Sequence, residues 1–139
     1  MRFRLILALT GRLVLLFCTA PILFCLLSII LGYWKEMAAF GITTLVGGIP
    51  AYLATRMFKE PSLIHRAEAM CVVGLTWLCA ALISGIPYMF MGGFTFVDAF
   101  FESMSGLTTT GATVLGDFSI FSKMIFFWRA TSQWFGGLG

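Results

Sequence analysis

Three stretches of this chain carry no charged side chain at all: residues 13–34, 37–55 and 69–97. A helix rises about 1.5 Å per residue, so roughly 20 residues cross the hydrocarbon of a bilayer. The first two stretches, with 22 and 19 residues, fit one crossing each. The third, with 29, is too long for one simple crossing. It reads as a span over residues 67–88, ending near Gly85 and Pro87, followed by a different element. Pro21 and Pro50 fall inside the other two spans. Membrane helices tolerate such breaks where neighbouring helices satisfy the freed carbonyls.

Composition supports lipid as the solvent. Of 139 residues, 60% are apolar and 11% charged, against about 45–50% and about 25% in soluble domains. A globule this small cannot bury so much apolar surface. A soluble enzyme domain, a disordered chain and a secreted disulfide scaffold are thereby excluded. The net charge of +3 is not gathered on one face, as a nucleic-acid reader requires. Cys18, Cys25, Cys71 and Cys79 lie inside the apolar runs with no Cys-x-x-Cys spacing, and His65 is the single histidine. They read as small apolar side chains, not as metal ligands. No P-loop, Gly-x-Ser-x-Gly or metal-ligand motif occurs, so no residue is a candidate for catalysis.

The basic residues instead report direction. Arg2, Arg4 and Arg12 flank the start of the first span, and Arg56, Lys59 and Arg66 lie between the second and third. The opposite loop offers Lys35 beside Glu36. The excess of positive charge places the N-terminus and the second link in the cytoplasm. The first apolar run is longer than the 7–15 residues usual in a signal peptide, and Cys18-Thr19-Ala20-Pro21 is a poor cleavage site. It is expected to remain as a membrane helix. Trp34, Trp128 and Trp134 are expected at the membrane interfaces.

The chain then emerges on the outer side near Pro87. Thr95 and Asp98 fit a helix-capping pair, and residues 96–107 predict a helix of about 18 Å, too short to cross a bilayer. Gly106 is expected to loosen its end. Next comes Thr108-Thr109-Thr110-Gly111-Ala112-Thr113. Consecutive β-branched residues resist helix, while Gly111 permits backbone angles that threonine disfavours. Unpaired carbonyls are costly in lipid but acceptable beside an aqueous path, where they can replace the water shell of a cation. Taken alone, such a stretch also fits a surface loop. A short helix before it and an apolar helix from about Ser119 after it favour a pore loop. The fold class expected is therefore an all-α membrane protein, with transmembrane helices plus a re-entrant pore helix and filter loop.

Asp98-Ala99-Phe100-Phe101-Glu102-Ser103, followed by Gly106-Leu107-Thr108-Thr109-Thr110-Gly111-Ala112-Thr113, resembles the first pore region of the Trk/Ktr/HKT superfamily of potassium transporters, in particular its TrkH/TrkG branch. Gln133-Trp134-Phe135-Gly136-Gly137-Leu138-Gly139 is similar to the helix that follows in the same repeat. The resemblance implies a helix pair over residues 1–60 and a first helix–pore loop–helix repeat over 61–139, its last helix cut short. It implies a longer protein, with four such repeats around one pore. It also implies potassium as substrate with no covalent cofactor, a multi-pass location in the cytoplasmic (inner) membrane, a homodimer, and a cytoplasmic nucleotide-binding gating subunit of the TrkA kind.

Carried over by motif, Thr109, Thr110, Gly111 and Ala112 offer carbonyls to potassium, with Thr108 and Thr113 at the filter edge. Asp98 and Glu102 are the expected supports of the pore helix. Glu102 is either a hydrogen-bonding strut behind the filter or a residue of the wet outer vestibule. Arg129 meets Glu102, a neighbouring repeat or interfacial water. Phe94, Phe96, Phe100 and Phe101 are expected to pack the short helix and not to form a ligand cage. Two further readings stay open: a homotetrameric pore-loop cation channel, and a non-conducting membrane scaffold.

Overall fold

The computed structural model describes residues 2–56, 63–116 and 121–138. All regular structure among them is helical: α1 (Phe3–Phe17), α2 (Thr19–Leu31), α3 (Trp34–Arg56), α4 (Arg66–Gly92), α5 (Phe96–Leu107) and α6 (Lys123–Leu138). Three rods have the length and composition to cross a membrane: Phe3–Leu31, Trp34–Arg56 and Arg66–Gly92.

The first rod joins α1 to α2 with an interruption at Cys18. Pro21 has no N–H to return to the Phe17 carbonyl, so the ladder is broken there. The rod begins ten residues before the charge-free stretch, because Arg4 and Arg12 sit within α1 on its exposed side. Long arginine stems can lie along apolar surface while their heads reach water, so a charge does not end such a helix. At its other end Gly32 takes the left-handed conformation, φ 74°. The Gly32 N–H donates to the Ile29 carbonyl at 3.2 Å and the Tyr33 N–H to Ser28 at 2.9 Å. This paired closure reverses the chain directly into α3.

α4 also runs further than its sequence suggests, passing Gly85 and Pro87 to end at Gly92. The carbonyl that Pro87 deprives of its partner is that of Ile83, four residues earlier, and one residue further on the indole N–H of Trp128 on α6 donates to the Ser84 carbonyl at 3.1 Å. Trp128 is 1% exposed, in the helix bundle and not at an interface, because Ser84 satisfies its one polar atom. Trp34 and Trp134 are exposed.

Around Trp128 the rings of Phe24 and Phe40 close at 5.1 and 5.2 Å, joining α2, α3 and α6. Phe94 packs between Tyr88 and Phe121, and Phe96 stacks on Phe100, itself half-buried beside a second cluster built on Val14, Phe17, Ala81 and Leu107. Outward-facing Leu16, Leu23, Ile30, Leu53 and Met70 are exposed, as lipid-facing positions are.

One ion pair fixes the relative ends of the rods. Arg2 donates through Nη2 to Glu68 Oε2 at 2.7 Å and through Nε to Oε1 at 3.1 Å. The same carboxylate accepts the His65 N–H at 3.2 Å, capping the start of α4. The beginning of α1 and the beginning of α4 therefore share one end of the bundle. Lys59 and Ser119, used above for charge balance and for the start of the last helix, lie outside the described residues.

Candidate functional site

α5 occupies the 12 residues foreseen, Phe96–Leu107. Thr95 caps it, its hydroxyl accepting the Asp98 N–H at 3.2 Å and donating to the Asp98 carboxylate at 2.6 Å. Asp98 thus serves the helix entrance, where negative charge is favoured. Its neighbour one turn on, Glu102, has a different setting: it is fully buried.

Two small residues let α6 press against the exit of α5. A Cβ on Gly136 would lie 1.8 Å from the Leu107 carbonyl oxygen, and one on Gly106 would lie 2.6 Å from Ser132 Oγ. Gly106 therefore does not loosen the helix, which continues to Leu107; it makes room for α6. On the other flank the Ser103 hydroxyl donates to the Ala81 carbonyl of α4 at 2.6 Å.

Beyond Leu107 the backbone turns sharply. The Thr109 N–H donates to Gly106 at 3.0 Å and the Thr110 N–H to Ser105 at 3.0 Å. These two bonds form the helix-ending closure that usually has glycine at its left-handed position. Here Thr109 fills it, with φ 58°. A β-branched side chain in that conformation stores about 1–2 kcal/mol of strain. Gly111 takes a second left-handed angle, φ 76°, which costs glycine little. Sequence reasoning foresaw Gly111 and missed Thr109, because no local signal makes a threonine adopt glycine's angles. Residues 108–114 are non-helical or turn and exposed.

Glu102 holds this segment from behind. One carboxylate oxygen accepts the Thr113 hydroxyl and the Val114 N–H, the latter at 2.6 Å. The other accepts Arg129 Nε at 3.1 Å. Arg129 thus meets Glu102, the first of the partners considered for it. Arg129 Nη2 also donates to the carbonyls of Gly111 at 2.9 Å and Ala112 at 3.0 Å. Ser105 Oγ donates to the same Ala112 oxygen at 2.6 Å. Thr108 turns back on α5, donating to the Met104 carbonyl at 2.8 Å, and its hydroxyl meets that of Thr110 at 2.9 Å.

The carbonyls expected to act together are thus divided. Both lone pairs of the Ala112 oxygen are engaged by side chains, and Gly111 keeps one. Among the described residues no hydrogen bond is donated to the Thr109 or Thr110 carbonyls. Ser105 was missed by sequence reasoning. Its position two residues before the helix end was the available clue, since a hydroxyl there can reach the returning chain.

The chain matches no established family profile. It is 33% identical over its whole length to the Trk system potassium uptake protein TrkH of Halomonas elongata. The corresponding figure for TrkH of Escherichia coli is 35%. The chain is a homologue of the TrkH/TrkG potassium uptake proteins. TrkG of Escherichia coli aligns with 76% of it at 31% identity. An uncharacterized cation transporter of Methanocaldococcus jannaschii aligns with 83% of it at 37% identity. The chain spans 29% of the length of the TrkH relatives. With three membrane-length apolar helices and this homology, it is a multi-pass membrane protein.

Proposed function

We propose that this chain is part of a Trk-type potassium uptake subunit in which α5 is the pore helix and residues 108–113 are one wall of the selectivity filter. On this reading residues 1–60 are the preceding helix pair and 61–139 a helix–pore loop–helix repeat. The observation that carries the proposal is the end of α5. A helix too short to cross stops at a strained turn, and the next carbonyls, those of Thr109 and Thr110, accept no hydrogen bond among the described residues. The C-terminal, partly negative end of α5 lies at the same turn. A partly dehydrated monovalent cation fits that arrangement, since peptide oxygens can stand in for its water shell. Lipid offers those oxygens nothing, so the loop belongs beside an ion path.

In this assignment Thr109 and Thr110 are the principal ligands and Gly111 contributes its remaining lone pair. Ala112, Thr108 and Thr113 hold the shape, Asp98 caps the pore helix and Glu102 braces the filter. The shared end of α1 and α4, with Arg2, Arg4, Arg56 and Arg66 near it, is the cytoplasmic end by the positive-inside rule, and the membrane is the inner membrane. The relatives' names supply potassium as the substrate. A homodimer and a nucleotide-binding gating subunit follow from the family resemblance.

The test is potassium and sodium uptake by the complete gene product in cells deficient in potassium transport. Gly111→Ser should raise sodium entry relative to potassium, because serine resists the φ of 76° and the carbonyls around it must shift. Unchanged discrimination in a variant that still reaches the membrane would overturn the filter assignment.

A further inference from the structure

A cationic guanidinium beside the carbonyls of a cation filter is an electrostatic liability unless something cancels it. Arg129 is that group: its Nη2 bridges the Gly111 and Ala112 oxygens while its Nε faces Glu102. Glu102 is fully buried and the Arg129 side chain is 16% exposed, so water screens the pair poorly.

We propose that Arg129 and Glu102 form a charge-neutral clamp, in which Arg129 is a positioning residue that fixes two filter peptides and Glu102 removes the repulsion Arg129 would otherwise exert on the ion. This rests on the filter reading above. The two side chains grip adjacent stretches of one strand. Arg129 takes the carbonyls of residues 111 and 112, and Glu102 takes the Thr113 hydroxyl and the Val114 N–H. Ser105 supplies the second donor to Ala112, leaving that oxygen no lone pair for an ion. With peptides 111–114 held from behind, the Thr109 and Thr110 carbonyls are the ones left for the ion. The planar arginine fork presents several donors in fixed directions, whereas a lysine presents one compact charge.

The clamp predicts different effects from its two halves. In the complete gene product, Glu102→Gln leaves a cation uncompensated behind the filter and should weaken apparent potassium affinity by about tenfold or more. Arg129→Gln removes that cation and frees two carbonyls. It should leave potassium affinity undiminished while sodium entry rises relative to potassium. The double variant should regain affinity over Glu102→Gln alone. Uptake is normalised to protein in the membrane, so a folding defect does not enter the affinity. Equal weakening by both single changes, or no recovery in the double, would overturn the clamp.

Should Arg129→Gln fail to reach the membrane, Arg129→Lys provides the second reading. It keeps the charge opposite Glu102 but loses the fork, so affinity should hold and discrimination fall; unchanged discrimination would overturn the proposal. Failure of the unmodified protein to carry potassium would instead overturn the filter reading, which is a separate result.

Discussion

The helices α1 to α3 and the segment from α5 to α6 share one apolar solvent and meet it differently. In α1 to α3 the backbone satisfies itself except where Pro21 and Pro50 interrupt the ladder, and most side chains need only an apolar shape that packs. Phe24 and Phe40 fill space against Trp128, while Leu23 and Ile30 face outward. From α5 to α6 the backbone leaves the helix, and specific donors replace the missing ladder. Ser105, Glu102 and Arg129 together serve the peptides of residues 111, 112 and 114. Tolerance should therefore be broader in the first region than in the second, except at Gly11, where a Cβ would lie 2.7 Å from the Ala51 carbonyl oxygen.

The glycines offer the sharpest contrast. Gly136→Val should prevent folding, because a Cβ there meets the Leu107 carbonyl oxygen at 1.8 Å. No monodisperse protein should be recovered in detergent. A folded, active variant would show that α6 does not press on the exit of α5 as described.

Phe40→Ala removes a ring at the centre of the aromatic cluster and should cost about 3–5 kcal/mol, read as a lower thermal unfolding temperature in detergent. Per molecule in the membrane, the potassium-to-sodium uptake ratio should not change. A changed ratio would mean that the two regions are coupled more tightly than their separate bonding implies.

Thr109→Gly should invert that pattern. Relieving the left-handed threonine should stabilise the protein by about 1 kcal/mol, seen as a small rise in unfolding temperature. Ion discrimination should fall, because the strained turn that aims the Thr109 and Thr110 carbonyls becomes free to move. Stabilisation with intact discrimination would leave the strain without a functional role.

The smallest effect belongs to Gly41→Ala in α3, where a Cβ meets nothing within 4 Å. Alanine's better helix propensity should give a gain of about 0.5–1 kcal/mol and unchanged uptake. A loss of stability there would show that the open face of α3 is covered by protein, not lipid.

Legibility followed the range of the forces involved. The short helix was readable to the residue, since Thr95 and Asp98 mark its start by contacts within one turn, and the three threonines mark its end. The outer boundaries of the long rods were less legible. Arg4, Arg12 and Pro87 look like stops in sequence, yet each lies within a helix, the arginines on exposed stems and Pro87 beside Tyr88, which is packed against Ile125 and Trp128. In the site, Glu102 stood out as a carboxylate in apolar surroundings, and Gly111 as a lone glycine among β-branched residues. Ser105, Gly136 and the left-handed Thr109 did not, since their importance depends on what lies opposite them.

The amino-acid order by itself determined that this chain lives in lipid, where its short helix begins and ends, and that a non-helical stretch follows it. Those outcomes depend on hydrophobic length, capping and backbone sterics, all of which act between near neighbours. Tertiary structure alone decided that Arg129 meets Glu102 across 27 positions of chain, and that the Ala112 oxygen is occupied while those of Thr109 and Thr110 accept no hydrogen bond among the described residues. Hydrogen bonds reach only about 3 Å, so which donor finds which carbonyl is settled only once α6 is seated against α5.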